Sequence, residues 1–192
     1  SVMELVARPG STAGAAACRA LPREPREPAR NRHGLAQRDV AGVAPLQLRV
    51  GGLVPFSTAD WPGTIAAVVF AQGCPWRCRY CHNPHLIPTE GPDAHDWPGV
   101  VSWLEGRRGL LEAVVFSGGE PTAQLALEAA LRDARALGFR TGVHTGGMFP
   151  RRMPSLLPLL DWVGLDIKAP SGQYPAVTGV QAGGSLAGND SS

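Results

Sequence analysis

Four short apolar runs limit what this chain can fold into more than any other feature. They are residues 64–71 (TIAAVVFA), 112–117 (EAVVFS), 140–145 (RTGVHT) and 162–167 (WVGLDI). Each is short, rich in β-branched residues and bounded by Gly or Pro. The first two show no polar alternation, which is the pattern of strands buried on both faces of a parallel sheet. Helical stretches separate the runs. In residues 123–137, Leu127, Ala130, Leu131 and Ala134 recur at helical spacing, with Thr122 as the N-cap and Gly138 as the stop. Residues 97–108 predict a shorter helix with Val100, Val101 and Leu104 inward. Residues 150–160 predict a weak one, because Pro154 and Pro158 limit it. Alternating strand and helix predicts repeated right-handed βαβ units, an α/β fold with a parallel sheet.

That pattern occupies residues 47–180. Residues 8–45 are rich in Arg, Ala, Pro and Gly, as in the PREPREP stretch 22–28, and hold few large apolar side chains. Such a segment cannot offset its own ordering entropy. Residues 1–46 are therefore expected to be a disordered extension, and 181–192 a flexible tail. The formal charge of +2 is uneven: residues 1–46 hold seven Arg against four acids, which leaves 11 basic and 12 acidic residues elsewhere. The nearly neutral remainder carries no basic stripe, so a nucleic-acid partner is not expected. No apolar run reaches the ~20 residues of a membrane span, and no signal-peptide pattern is present. The expectation is a cytoplasmic protein.

The chemistry gathers at the carboxyl ends of the four runs. After the first comes Cys74-Pro75-Trp76-Arg77-Cys78-Arg79-Tyr80-Cys81. A closed zinc site takes four ligands and a disulfide framework an even number of cysteines. Three clustered thiolates suit a [4Fe–4S] cluster with one iron left open for a ligand. A zinc knuckle completed by His82 or His85 is the alternative. The only other cysteine is Cys18, far away in sequence, which favours a reducing compartment. Ser117-Gly118-Gly119-Glu120-Pro121 follows the second run, Thr145-Gly146-Gly147 the third, and Asp166 and Lys168 end the fourth. In parallel barrels and open α/β sheets, ligands bind at that edge. Gly118 and Gly119 would let a ligand approach the backbone, and Glu120 offers a charge suited to an ammonium group. Lys168 is the single Lys beside 17 Arg, as expected where a compact point charge is needed. Tyr80 either presents its ring beside the cluster or packs the loop. His144 fits a local or a functional role equally.

These residues carry a resemblance. Cys-x₃-Cys-x-aromatic-Cys, followed by Gly-Gly-Glu after the next strand, resembles the radical S-adenosylmethionine (SAM) superfamily, and within it the glycyl-radical activating enzymes. Residues 56–63 (FSTADWPG), 72–74 (QGC), 80–84 (YCHNP), 165–170 (LDIKAP) and 174–179 (YPAVTG) are similar to the activases of anaerobic ribonucleoside-triphosphate reductase. The similarity covers about 47–180. It implies a partial parallel (β/α) barrel of the radical SAM type, here apparently truncated after about four βα units. It implies that Cys74, Cys78 and Cys81 bind three irons of a [4Fe–4S] cluster, and that the amino and carboxylate groups of S-adenosylmethionine chelate the fourth. Gly118, Gly119 and Glu120 would hold the amino group, and Tyr80 would lie near the adenine. Thr145 would stand close to the cofactor, and Asp166 and Lys168 near its ribose or carboxylate end. His144 stands where relatives often show Asp. The implied reaction is reductive cleavage of S-adenosylmethionine and formation of a glycyl radical on the reductase. A low-potential donor such as flavodoxin or ferredoxin would supply the electron. The alternatives are activation of a different glycyl-radical enzyme, small-molecule modification, a zinc-stabilised interaction module and an inert fragment.

Overall fold

The computed structural model describes residues 2–5, 46–91 and 95–180. Three of the four apolar runs become strands one or two residues shorter than or offset from the sequence reading, and one matches it. They are β3 (Ala66–Ala71), β4 (Ala113–Gly118), β5 (Arg140–Thr145) and β6 (Trp162–Asp166). All three neighbouring pairs among them are parallel. The register sets Ala71 opposite Gly118 and Thr145 opposite Leu165, so the chemistry-bearing ends lie along one edge.

Two further strands, both antiparallel, were not legible. β2 (Val50–Ser57) borders β3, and β1 (Val2–Leu5) borders β6, giving the order β1-β6-β5-β4-β3-β2. β2 contains Gly51, Gly52 and Pro55, residue types that strand interiors disfavour. The structure accommodates them on an edge strand whose register shifts between Val50 and Gly52 and again between Val54 and Ser57. Residues 1–46 were expected to lie outside the fold; Val2–Leu5 instead sits on the sheet. The stretch 8–45 and the tail 181–192 lie outside the described residues.

Helices connect the parallel strands. α1 (Trp97–Glu105) is capped by the Asp96 carboxylate, which accepts from Gly99 N at 3.0 Å. α2 (Leu127–Ala136) starts later than its spacing predicts. Thr122 is not its N-cap: it lies in a 3₁₀ turn, Pro121–Ala123, with its donors committed to Glu120. Gln124, extended, then delays the first helical turn. Gly138 does end the helix region, at φ +93°. Two 3₁₀ turns and α3 (Met153–Leu156) replace a continuous helix where Pro154 and Pro158 break it. α4 (Tyr174–Thr178) follows β6. These are four βα units of an incomplete parallel barrel.

The two faces of the strands bury different things. Ala67, Val69, Val114, Phe116 and Val143 pack against Val100 and Leu104 of α1 and Leu127, Ala130, Leu131 and Ala134 of α2. Ala66, Val68, Ala113 and Val115 face the other way, under Trp61 and Trp162. Those two indoles stack with centroids 5.7 Å apart. Gly142 and Gly164 make room for them: a Cβ on Gly164 would meet Trp162 at 2.5 Å and His144 at 2.6 Å.

Candidate functional site

The loop after β3 is fixed at both ends. At its neck Gly73 N–H donates to the Leu86 carbonyl (2.8 Å) and Cys74 N–H to Ile87 (3.0 Å). At its far side Arg77 N–H donates to Thr178 of α4 (2.7 Å). Between these points Trp76 is buried, with its ring edge on Tyr174 at 5.6 Å and its six-membered ring over Gly146, where a Cβ would clash at 2.6 Å. Trp76 thus joins the Cys loop to the segments after β5 and β6. Cys74, Cys78 and Cys81 are free thiols, each partly exposed. They open on a cavity of about 390 Å³. The same cavity is lined by Tyr80, Gly118, Gly119, Glu120, Thr145, Asp166 and Lys168. The three thiols and the seven residues that the resemblance assigns to the cofactor therefore all line this space. His82, Asp60 and His144 line it too.

The local reasons differ from the sequence argument at three of these positions. The space left by the two glycines is used by the chain itself. A Cβ on Gly118 (φ +104°) would meet Ala71 N at 2.6 Å, and one on Gly119 would meet the Gly73 carbonyl at 2.3 Å. Their bareness lets the end of β4 close against the end of β3. Glu120 is 1 % exposed, and its carboxylate is engaged from three directions. Oε1 accepts from Thr122 N (3.0 Å), the Thr122 hydroxyl and the Thr145 hydroxyl (2.7 Å), while Oε2 accepts from Gly146 N (2.9 Å). Few of a carboxylate's acceptor positions, about four in all, are left for a ligand. Glu120 is first of all a strut between the loops after β4 and β5. Thr145 in turn accepts from Gly147 N at 3.0 Å.

Charge is unevenly screened around the cavity. Lys168 ion-pairs with Asp166 across the end of β6, and its ammonium stands 5.7 Å from the Tyr80 ring. Burial lowers the Lys168 ammonium, but the hydrogen bond and charge of Asp166 outweigh it, so the net shift is upward. Burial pushes the Cys74 thiol up to about 11, and the charges of Glu120, Cys78 and Cys81 add to that against a backbone hydrogen bond at Trp76. Cys78 is also raised by burial, with Lys168 opposing. His144 Nε2 is 2.8 Å from the Asp60 carbonyl, and its ring edge meets Trp162 at 4.8 Å. This ties His144 to the tryptophan floor while leaving it in the cavity wall.

Sequence reasoning did not single out Trp76, Asp60 or Tyr174 as site residues. Trp76 had one available signal, a large aromatic inside an otherwise polar cysteine loop. Asp60 lies within the 56–63 stretch that carries the resemblance, but nothing there marks it as a site residue, because it comes from the β2–β3 connection before the first parallel strand. His85 is exposed and does not line the cavity. Among the described residues, no three His, Cys, Asp or Glu side chains are gathered to hold a single metal ion. Four ligands around one zinc would stand about 3.8 Å apart, from a Zn–S bond of about 2.3 Å in tetrahedral geometry. A cluster asks instead for thiolates on separate irons around a shared space. The donor set among the described residues, three thiols lining one cavity, fits a cluster with an open iron.

Among the described residues no helix is long and apolar enough to cross a membrane. The family model described as "Radical SAM superfamily" matches residues 68–183. The chain is 33 % identical over 130 residues to a putative glycyl-radical enzyme activating enzyme of Methanocaldococcus jannaschii, covering 65 % of this chain and 52 % of that protein. It is 34 % identical over 149 residues to a pyruvate formate-lyase-activating enzyme of Streptococcus mutans, covering 68 % of this chain and 56 % of that one. The chain thus spans about half the length of the curated relatives it matches. Against the crystal structure of QueE from Escherichia coli the TM-score is 0.41 at 21 % identity, covering 53 % of this chain and 54 % of that one.

Proposed function

Given that the chain belongs to the radical SAM superfamily, we propose that it acts as a glycyl-radical activating enzyme whose partner is anaerobic ribonucleoside-triphosphate reductase. One observation carries the reading: the three thiols and the cradle residues from all four strand ends line a single cavity. The relatives' names support the activase class. One of them names pyruvate formate-lyase, a different target. Support for the reductase rests on residues 56–63, 72–74, 80–84, 165–170 and 174–179, whose sequence resembles the reductase activases. The working compartment in this reading is the cytoplasm.

A bound [4Fe–4S] cluster, supplied with electrons by a donor such as flavodoxin or ferredoxin, would provide the one-electron chemistry for reductive cleavage of S-adenosylmethionine and formation of a glycyl radical on the partner. The chain's own residues bind and orient. Cys74, Cys78 and Cys81 would each hold one iron, and each must first lose its proton. The Lys168 charge opposes the burial that keeps Cys78 protonated. Gly118 and Gly119 bring main chain to the cavity wall, and Glu120 fixes Thr145 and Gly146 there, leaving its free Oε2 acceptor position for the cofactor's ammonium. Asp166 and Lys168 offer a paired carboxylate and ammonium in the cavity lining, with the Lys168 ammonium 5.7 Å from the Tyr80 ring.

Anaerobic reconstitution tests this. About four irons and four sulfides per chain are expected, lost in Cys74→Ala, Cys78→Ala or Cys81→Ala and kept in Cys18→Ala. Protein that retains zinc alone would overturn the cluster. Incubation with S-adenosylmethionine and a strong reductant should yield 5′-deoxyadenosine. Electron paramagnetic resonance then distinguishes the partners: a glycyl doublet is expected on the anaerobic reductase and none on pyruvate formate-lyase. The reverse result would keep the activase and replace the partner.

A further inference from the structure

Behind the Cys loop lies a chain of buried amides with no part in the cavity wall. Gln72, 2 % exposed at the end of β3, spends both Nε2 hydrogens on the returning strand of the loop. They go to the carbonyls of His85 (3.0 Å) and Pro88 (2.6 Å). Those residues bracket Leu86 and Ile87, the acceptors for Gly73 and Cys74. Gln124, 4 % exposed, backs Gln72: its Nε2 donates to the carbonyls of Gln72 (3.0 Å) and Arg49 (2.9 Å), and its Oε1 accepts from Arg49 N (2.8 Å). Space is reserved for the arrangement. A Cβ on Gly51 would sit 2.2 Å from Gln72 Oε1, and one on Gly91 2.8 Å. An apolar residue at 72 would fill the volume, but the His85 and Pro88 carbonyls would lose their donor in a buried place.

We infer that Gln72, backed by Gln124, is a positioning residue that latches the neck of the Cys loop, so that Cys74, Cys78 and Cys81 are held in one arrangement before any cluster arrives. The loop from 74 to 87 carries Gly73 and three prolines (Pro75, Pro84, Pro88) in or beside it and little regular structure of its own. Its shape has to be imposed at its ends. α4 and Trp76 hold the far end, and the amide latch holds the neck. The latch touches neither cavity nor thiol, so its effect on the thiols is indirect. The consequence for cluster assembly rests on the cluster reading above; the arrangement of the apo-protein does not.

The first test uses the full apo-chain, labelled with N-ethylmaleimide and read cysteine by cysteine by mass spectrometry. In Gln72→Leu, Cys74 should label roughly thirtyfold faster, the equivalent of about 2 kcal/mol at 1.4 kcal/mol per factor of ten. Gln72→His, which keeps one N–H at comparable reach, should fall between that variant and the wild type. Leu131→Ala, which loosens the fold far from the loop, should leave Cys74 at the wild-type rate while the unfolding midpoint drops. In the reconstituted, reduced protein the Gln72→Leu cluster should keep its iron count but show a broadened paramagnetic resonance spectrum, sharpened again in Gln72→His. A wild-type Cys74 rate in folded Gln72→Leu overturns the latch. So does an equal acceleration in Leu131→Ala, which would make the effect one of global stability. Should the Leu variant not fold, Gln72→His decides alone: a wild-type labelling rate in it overturns the proposal. Loss of cluster in every protein, with the labelling pattern as expected, would remove the cluster and leave the latch standing.

Discussion

The two faces of the parallel strands answer to different demands. The helix-covered face is filled by large side chains, among them Phe116, Leu104, Leu127 and Leu131, all 0 % exposed. The inner face is built from Ala66, Val68, Ala113 and Val115 with glycines at 142 and 164, and is closed by the stacked Trp61 and Trp162. One face maximises buried apolar area. The other keeps its strands bare so that a cavity remains beyond the tryptophan floor. A βα unit of this kind carries stability on its outside and room for chemistry on its inside.

If that division is real, the largest stability losses belong to the outer face. Phe116→Ala removes a ring packed 5.9 Å from Trp97 and surrounded by α1 and α2. It should cost about 3–5 kcal/mol in urea unfolding, while the labelling rates of the three cavity thiols, corrected for global unfolding, hold steady. A loss below about 1 kcal/mol, the scale of a small surface effect, would break the comparison. On the inner face the sensitive change goes the other way, toward more volume. Gly164→Ala puts a methyl group against Trp162 and His144. It should cost about 1–3 kcal/mol through overpacking, and it should alter the Trp fluorescence as the indole stack shifts. An unchanged spectrum and midpoint would mean that the floor is soft and the glycines are incidental.

Legibility follows the same line. The outer face was readable because burial on a helix repeats: Leu127, Ala130, Leu131 and Ala134 announce α2, and Val100 and Leu104 announce α1. The strand-end residues were readable because Cys, Gly-Gly-Glu and a lone Lys are chemically rare. What was lost is what depends on distant partners. β2 was hidden because Gly51 serves Gln72 and Pro55 sits where the register shifts, and strand interiors disfavour both residue types. The start of α2 was misplaced because Thr122 had a better acceptor than the helix, the buried Glu120. The liaison of Asp60 with His144 joins residues 84 apart, and no local pattern records it.

The cavity side should also be the source of any alkaline instability in the apo-protein. Cys74 titrates near 9.0 when unfolded and is pushed up to about 11 by burial in the fold. The fold therefore favours the neutral thiol. That contribution is complete below about pH 9 and is lost as pH rises through about 11. Lys168, also raised, acts in the same direction above its ordinary 10.5. The urea midpoint should fall over this window, and less steeply in Cys74→Ser, whose hydroxyl does not titrate there. Parallel curves for the two proteins would show that the thiol is not buried as described. Loading should feel the same group: iron incorporation should speed up as pH rises toward 9, because the ligand is the thiolate.

The smallest effect belongs to the solvent side of the helix whose inner side carries Leu131. Glu128 and Arg132, one turn apart, form an ion pair at 2.8 Å with both side chains well exposed. The order, acid before base, suits the helix dipole. Water screens the pair, and two long side chains must be held still to make it. A double-mutant cycle through Glu128→Ala and Arg132→Ala should return a coupling of only about 0.3–0.5 kcal/mol, fading in high salt. Leu131 is the neighbour of Arg132 in sequence, yet its truncation should cost about 2–5 kcal/mol, because the helix turns it into the strands. A coupling for the exposed pair as large as the Leu131 loss would mean that this side of α2 is covered by something. The contrast between a packed interior and a solvated exterior would then have to be redrawn around a partner surface.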